Sequence, residues 1–217
     1  MPQQLKVNFC LPGRQFSNNF LLCWTNLLAA VIAKGIKPGI HNSYCCTLPV
    51  VRCDCLGGSG RGGRFQKPFG GQDYDYIMWI DSDQVFMPPM FFKLLSHEAD
   101  IVGGWYPLSE REDDNSIGWI HPLEDTAMPY LTKDILTVGA NNQLMGVDYS
   151  GFGFMLIKKG VFEKIPYPWF ALPEKEHDEH LFIEGDDVNF CRKAREAGFK
   201  IQIDPLVRVG HEKSAIF

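Results

Sequence analysis

Residues 76–80 (YIMWI) are apolar at every position and stop at an acidic triplet, Asp81-Ser82-Asp83. An unbroken apolar run of this length suits a strand covered on both faces, and such strands belong to largely parallel sheets with helices on either side. The triplet follows at the carboxyl end of that strand, where open α/β sheets place their ligands. Residues two apart in an extended chain point the same way, roughly 7 Å apart, so both carboxylates can serve one ligand. Two hard oxygen donors suit Mn2+ or Mg2+, ions that take one or two carboxylates and complete their shells with substrate phosphate oxygens. The alternative is an aspartate pair that fills a turn or caps the next helix. A second triplet, Asp73-Tyr74-Asp75, precedes the strand and reads as loop.

The remaining chain supplies the elements that such a strand needs around it. Residues 5–11 (LKVNFCL) predict a first strand closed by Pro12-Gly13, and 16–34 a helix with Ser17 as N-cap and Gly35 as stop. Residues 43–54 have strand character interrupted by Pro49, and they run into a glycine-rich loop, 56–64 (LGGSGRGGR). Pro88-Pro89 starts a helix to about 96, and 101–106 is the next strand. The polar stretch 108–147 predicts an irregular segment; 148–159 is a strand containing glycines, 186–197 a helix stopped by Gly198, and 199–203 a last strand. This order predicts an α/β fold with a mixed, mostly parallel central sheet flanked by helices. One domain is expected over 1–217, with a nucleotide-binding half at about 1–104 and an acceptor and catalytic half at about 105–217; a chain of 217 residues is long enough for one such core.

Charge and cysteine usage exclude several classes. A net charge of -5 leaves no excess of positive potential for a phosphate-tracking groove, so nucleic acid is not an expected partner. Seven cysteines without a C-x-x-C pair read as reduced thiols and small buried hydrophobes, which predicts a cytoplasmic, reducing compartment. The longest apolar stretch, 20–33, is broken by Thr25 and Asn26 and falls short of the roughly 20 residues of a spanning helix, so no transmembrane segment is expected. The first residues enter a strand with no apolar leader, as in a soluble enzyme or one catalytic domain of a longer chain.

A second acidic constellation lies near the end. Residues 184–194 (EGDDVNFCRKA) open an amphipathic helix, followed by Gly198-Phe199, Asp204-Pro205 and Gly210-His211. With the apolar strand, its D-x-D triplet and Ser150-Gly151-Phe152-Gly153, this run resembles the GT-A glycosyltransferases, in which an acidic pair starts a helix of the form E/D-D-x-x-F-C-x-x-A before a late histidine. The resemblance covers most of the chain from about 76 onward and is similar to the small soluble enzymes of bacteria and of large DNA viruses such as those of chlorella.

The resemblance implies a single GT-A (Rossmann-like) domain, a nucleotide-diphosphate sugar donor with UDP the commonest, a glycan hydroxyl as acceptor, and Mn2+ or Mg2+ as cofactor. It assigns Asp81 to the ribose, Asp83 and His211 to the metal, and Asp187 to the general base with Asp186 in support, for an inverting displacement. Capping of the helix start by Asp186 and Asp187, and a surface role for His211, are the alternatives. If no carboxylate reaches the acceptor, retention is the better reading. Leu11, Pro12, Arg14, Asp54 and Ser82 lie where such an enzyme cradles the nucleotide, and Arg61 and Arg64 of the glycine-rich loop offer guanidinium groups to phosphate. Trp105, Tyr149 and Trp169, with Gly151, are candidates for the sugar and acceptor side, and core packing is the alternative for each of the three aromatic residues. His177-Asp178-Glu179-His180 reads as a solvated loop.

Two other functions compete. The glycine-rich loop imitates the L-x-G-G-x-G-x-R stretch of sugar-nucleotide pyrophosphorylases, although theirs follows the first strand and this one follows a later element. A carbohydrate-binding module without catalysis is the other.

Overall fold

In the computed structural model, which describes residues 4–111, 113–121, 124–177 and 180–213, the chain opens with β1 (Lys6–Pro12) and α1 (Asn18–Ala33), as predicted. The Ser17 hydroxyl accepts from the Phe20 N–H at 3.1 Å and caps the helix. Gly35 leaves it at φ 72°, a left-handed conformation natural to glycine.

The next elements depart from expectation. Strand β2 is Lys37–Ser43, and most of the predicted strand over 43–54 coils instead into helix α2 (Leu48–Cys55). Pro49 accounts for this: in a strand it removes a ladder donor, whereas in the first helical turn its missing N–H had no partner to lose. The sequence of β2 (KPGIHNS) carries no apolar pattern because it is the outermost strand of its sheet, where a proline is tolerated.

Strand β3 (Tyr76–Ile80), the two-residue β4 (Gln84–Val85), α3 (Pro88–Leu95) and β5 (Ile101–Trp105) follow. The span 108–147, expected to be irregular, holds β6 (Ile117–Ile120), β7 (Ala127–Pro129), α4 (Thr132–Ala140) and β8 (Met145–Val147), elements too short and polar to display a period. The strand expected over 148–159 is split by its glycines into β9 (Tyr149–Ser150) and β10 (Phe154–Lys158). Helix α5 (Val161–Lys164), strands β11 (Glu174–His177) and β12 (His180–Ile183), α6 (Asp186–Glu196), β13 (Ile201–Arg208) and β14 (Gly210–His211) complete the chain. Of the stretch expected as a solvated loop, His177 ends β11 and pairs with His180 at the start of β12, and Asp178 and Glu179 lie outside the described residues.

The main sheet has the order β2-β1-β3-β10-β5-β13-β8. Strands β2, β1, β3, β5 and β13 share one direction, while β10 and β8 run against their neighbours, so the sheet is mixed and mostly parallel. Strand β3 explains why every one of its residues is apolar. Tyr76, Met78 and Ile80 enter a core with Phe20, Leu27 and Phe91 of α1 and α3, whereas Ile77 and Trp79 enter a second core with Phe162 and Phe190 of α5 and α6. Among the described residues no helix is long and apolar enough to cross a membrane. All seven cysteines are free, and Cys10, Cys53, Cys55 and Cys191 are buried.

Candidate active site

The end of β3 delivers the acidic triplet into a tight turn. Asp81 N–H donates to the Gly153 carbonyl at 3.1 Å, and Gln84 N–H donates back to the Asp81 carbonyl at 3.2 Å. Strand β4 then pairs antiparallel with β14, which sets His211 opposite Gln84 and beside Asp83. His211 Nε2 lies 2.9 Å from Asp83 Oδ2, and His211 Nδ1 lies 2.8 Å from the Pro107 carbonyl. A carbonyl only accepts, so Nδ1 donates to it, and Nε2 is left facing the Asp83 carboxylate at hydrogen-bond distance. An outer hydrogen bond of this kind orients a metal-ligating histidine, and Nε2 and Asp83 Oδ2 lie close enough together to serve one cation.

The residues present fit a hard divalent ion. Among the described residues no group of three or more His, Cys, Asp or Glu side chains forms a closed metal cage. An imidazole and a carboxylate suit an ion that takes one or two protein ligands and fills its shell from phosphate and water. Asp81 Oδ1 is also buried with no hydrogen-bond partner among the described residues, as polar atoms are where a ligand supplies one. Burial raises the Asp81 carboxyl above its ordinary value and Arg52 pulls it down.

Beside the triplet is a cavity of about 360 Å³, a volume in the range of small-molecule sites. Asp81, Ser82 and Asp83 form one wall, Pro12, Gly13 and Arg14 after β1 another, and Tyr44, Cys45, Cys46 and Leu48 before and in α2 the third. Gly13 has φ 151° and any Cβ there would sit 2.7 Å from Ser82 Cβ, so only glycine lets the two loops approach. The Arg14 guanidinium lies 5.3 Å above the ring of Tyr44, which is 54% exposed at the rim.

Of the residues expected at the nucleotide, Pro12, Arg14, Asp81 and Ser82 thus meet at this cavity, and Leu11, Asp54, Arg61 and Arg64 do not line it. Leu11 packs its side chain into the core because it precedes the strand's end. Asp54 points from α2 into a different cavity beside His41 and Phe69. Arg61 and Arg64 are exposed on the loop after α2, which folds on itself: Gln66 Oε1 accepts from Ser59 N–H at 2.8 Å, and Tyr167 N–H donates to the Arg64 carbonyl at 2.8 Å.

The second acidic pair comes close to the first through a residue that belongs to no motif read above. Arg52, on α2, is 3% exposed. It donates from Nη1 to Asp186 Oδ2 at 2.7 Å and from Nη2 to Asp81 Oδ2 at 3.4 Å. Burial works against its charge, and Asp81, Asp186 and Asp187 outweigh it, so its pKa is raised. Asp186 is therefore committed to an ion pair. Asp187 accepts on Oδ1 from the Val188 N–H at 2.8 Å and bonds no side chain among the described residues. Burial raises its carboxyl, Arg52 lowers it and Asp186 raises it, with a net upward shift.

Tyr106, also unflagged by sequence, joins the two clusters. It is 5% exposed, its hydroxyl accepts from the Gly153 N–H at 3.0 Å, and its ring stands edge-on to His211 at 5.1 Å. Gly151 and Gly153 are glycines because a Cβ at either would enter Tyr106. Gly151 therefore serves packing at this point, while Tyr149 is half-buried on β9, its hydroxyl pushed up to about 12 by burial and by Asp187.

Of the two roles open to Trp105 and Trp169, sugar stacking and core packing, their burial assigns the second. Trp105 is 1% exposed and donates to the Pro205 carbonyl at 2.9 Å; Trp169 is 0% exposed and donates to the Phe162 carbonyl at 3.1 Å. Trp105 sits on an inner strand covered on both faces, so its indole has no outlet.

No protein-family model matches the sequence, and no curated protein matches it. Solved structures do. A197 from STIV is 16% identical with a TM-score of 0.52, over 98% of this chain and 97% of that one. GalNAc-T7, crystallised with UDP, GalNAc and Mn2+, is 10% identical with a TM-score of 0.54, over 97% of this chain and 44% of that one. The chain thus spans less than half the length of GalNAc-T7. At these identities the likeness is one of fold, and the fold is a Rossmann-like GT-A domain.

Proposed function

We propose that the protein is a metal-dependent glycosyltransferase that moves a sugar from a nucleotide-diphosphate donor, UDP-sugar first among them, to a hydroxyl of a glycan acceptor. The observation that carries this reading is the pairing of His211 with Asp83 beside a ligand-sized cavity at the end of β3. Asp83 and His211 would hold Mn2+ or Mg2+, which when bound supplies positive charge against the departing diphosphate. The GalNAc-T7 structure, with UDP and Mn2+, supports the same kind of donor and ion.

The chain's own residues divide the remaining work. Pro12, Gly13 and Arg14, with Tyr44 packed against the Arg14 guanidinium, wall the cavity that would take the nucleoside. Asp81, held by Arg52 and lining the cavity, would face the donor hydroxyls. Asp187, bonded to no side chain among the described residues and shifted upward, takes the proton of the acceptor hydroxyl as the acceptor oxygen bonds to the anomeric carbon and the bond to the diphosphate breaks. A free carboxylate in this role supports inversion over retention.

The test is product analysis. Incubation with UDP-hexoses, Mn2+ and a set of oligosaccharides is expected to release UDP. Release of pyrophosphate from UTP and a sugar phosphate instead would assign the protein to nucleotidyl transfer. Sugar binding that ignores EDTA and survives Asp83→Ala, with no turnover, would assign it to a binding module.

A further inference from the structure

Asp81 ends a strand of the donor side and Asp186 starts a helix of the acceptor side, and 105 residues separate them in the chain. One side chain spans both. The Arg52 fork reaches Asp186 Oδ2 at 2.7 Å and Asp81 Oδ2 at 3.4 Å, and its plane is set by the rings of Phe152 and Phe170, 5.1 and 5.8 Å from the guanidinium carbon. A planar guanidinium with donors in fixed directions holds two carboxylates at a defined spacing, which the single flexible ammonium of lysine does not.

The pairing is selective between adjacent acids. Asp186 is bonded, and Asp187 bonds only backbone among the described residues. We infer that Arg52 is a positioning residue that holds Asp186 against Asp81 and so leaves Asp187 free to take the proton of the acceptor hydroxyl. This inference rests on the glycosyl-transfer reading for the identity of that hydroxyl. It rests on geometry alone for the division between the two aspartates.

The groups that face Asp187 come from several elements. Arg52 of α2 is the cation; Asp186 and Cys191 of α6, Asp81 after β3, Tyr106 after β5 and Tyr149 of β9 are the others. Arg52 favours the ionised form of Asp187, so its removal moves the Asp187 midpoint upward, and the acidic limb of a base-dependent rate moves with it. A residue that only stabilised the fold would lower the rate at every pH without moving the limb.

Four variants separate these outcomes. Arg52→Met alone strips the cation from both Asp186 and Asp81, so the comparison is made on an Asp186→Asn background, in which Asp81 alone of this pair loses it. Folding of each variant is checked by thermal unfolding. Carbon-13 NMR of labelled aspartate carboxyls, with Asp187→Asn identifying the resonance, is expected to show the Asp187 midpoint about one pH unit or more higher in Asp186→Asn/Arg52→Met than in Asp186→Asn. Arg52→Lys keeps the charge without the fork, and its kcat is expected to fall about 100-fold, the scale of an ångström of misplacement, with a donor KM within about threefold of the unmodified protein. An unchanged Asp187 midpoint, or an Arg52→Lys variant with undiminished kcat, overturns the inference. If the unmodified protein releases no UDP at all, the transfer reading fails while the NMR comparison still decides whether Arg52 sets the Asp187 midpoint.

Discussion

Replacing Gly153 with alanine tests how tightly Tyr106 locks the two acidic clusters together. The new Cβ would lie 2.6 Å from Tyr106 Cζ and 2.7 Å from its Oη. Ordinary carbon contacts are about 3.5–4.0 Å, so the ring must retreat by about 1 Å. It has no free side to move into, being 5% exposed with His211 edge-on at 5.1 Å. Overpacking of a filled core costs about 1–3 kcal/mol, and loss of the hydrogen bond from the Gly153 N–H adds about 1 kcal/mol. The total, about 2–4 kcal/mol, lowers the Tm by about 5–15 °C in a domain of this size, where 1 kcal/mol corresponds to about 2–4 °C. Differential scanning calorimetry reads the shift. Gly146→Ala is the control, since nothing lies within 4 Å of a Cβ built there, and it should leave the Tm nearly unchanged. A Gly153→Ala protein that melts with the control would refute the claim that Tyr106 fills this space.

Asp83→Ala and His211→Ala should each weaken Mn2+ binding by about 100-fold or more, since even outer-shell losses cost 10–100-fold; calorimetric titration that finds either variant binding like the parent removes that residue from the metal set. Asp187→Asn is expected to lower turnover by about 10²–10⁴-fold with Mn2+ affinity intact. Because a base must be ionised to act and the Asp187 carboxyl is raised, the parent rate should decline as pH falls through a midpoint above the ordinary carboxylate range; an acidic limb at or below that range contradicts the assignment. Maleimide labelling followed by mass spectrometry should mark Cys46, exposed in the wall of the cavity, and spare Cys55 and Cys191, whose thiols burial pushes up to about 12. UDP with Mn2+ should protect Cys46, and labelling indifferent to them would place the nucleotide elsewhere.

Much of this architecture was readable along the chain because it is local. The apolar run of β3 and the acids after it, the capped α1, and α6 with its acidic start are each set by residues within one element, and each forms within a few residues of its predicted bounds. Elements whose pattern is set by neighbours were misread. Strand β2 is polar because it is an edge, α2 is a helix although Val50, Val51 and the cysteines read as strand, and the side sheet of β6, β7 and β9 has too few residues to show a period.

By itself the sequence determined which strand is buried on both faces, which carboxylates follow it, and that an acidic pair begins the last helix, because strand and helix periods are properties of adjacent residues. The tertiary structure decided which of those groups meet. His211 reaches Asp83 through the pairing of β14 with β4, and Arg52 selects Asp186 over Asp187 from a helix in another part of the chain. Trp105, chemically suited to a sugar face, is instead sealed between layers. Ion pairs, tautomers and burial depend on distances between residues far apart in sequence, and those distances exist only once the sheet has ordered its strands.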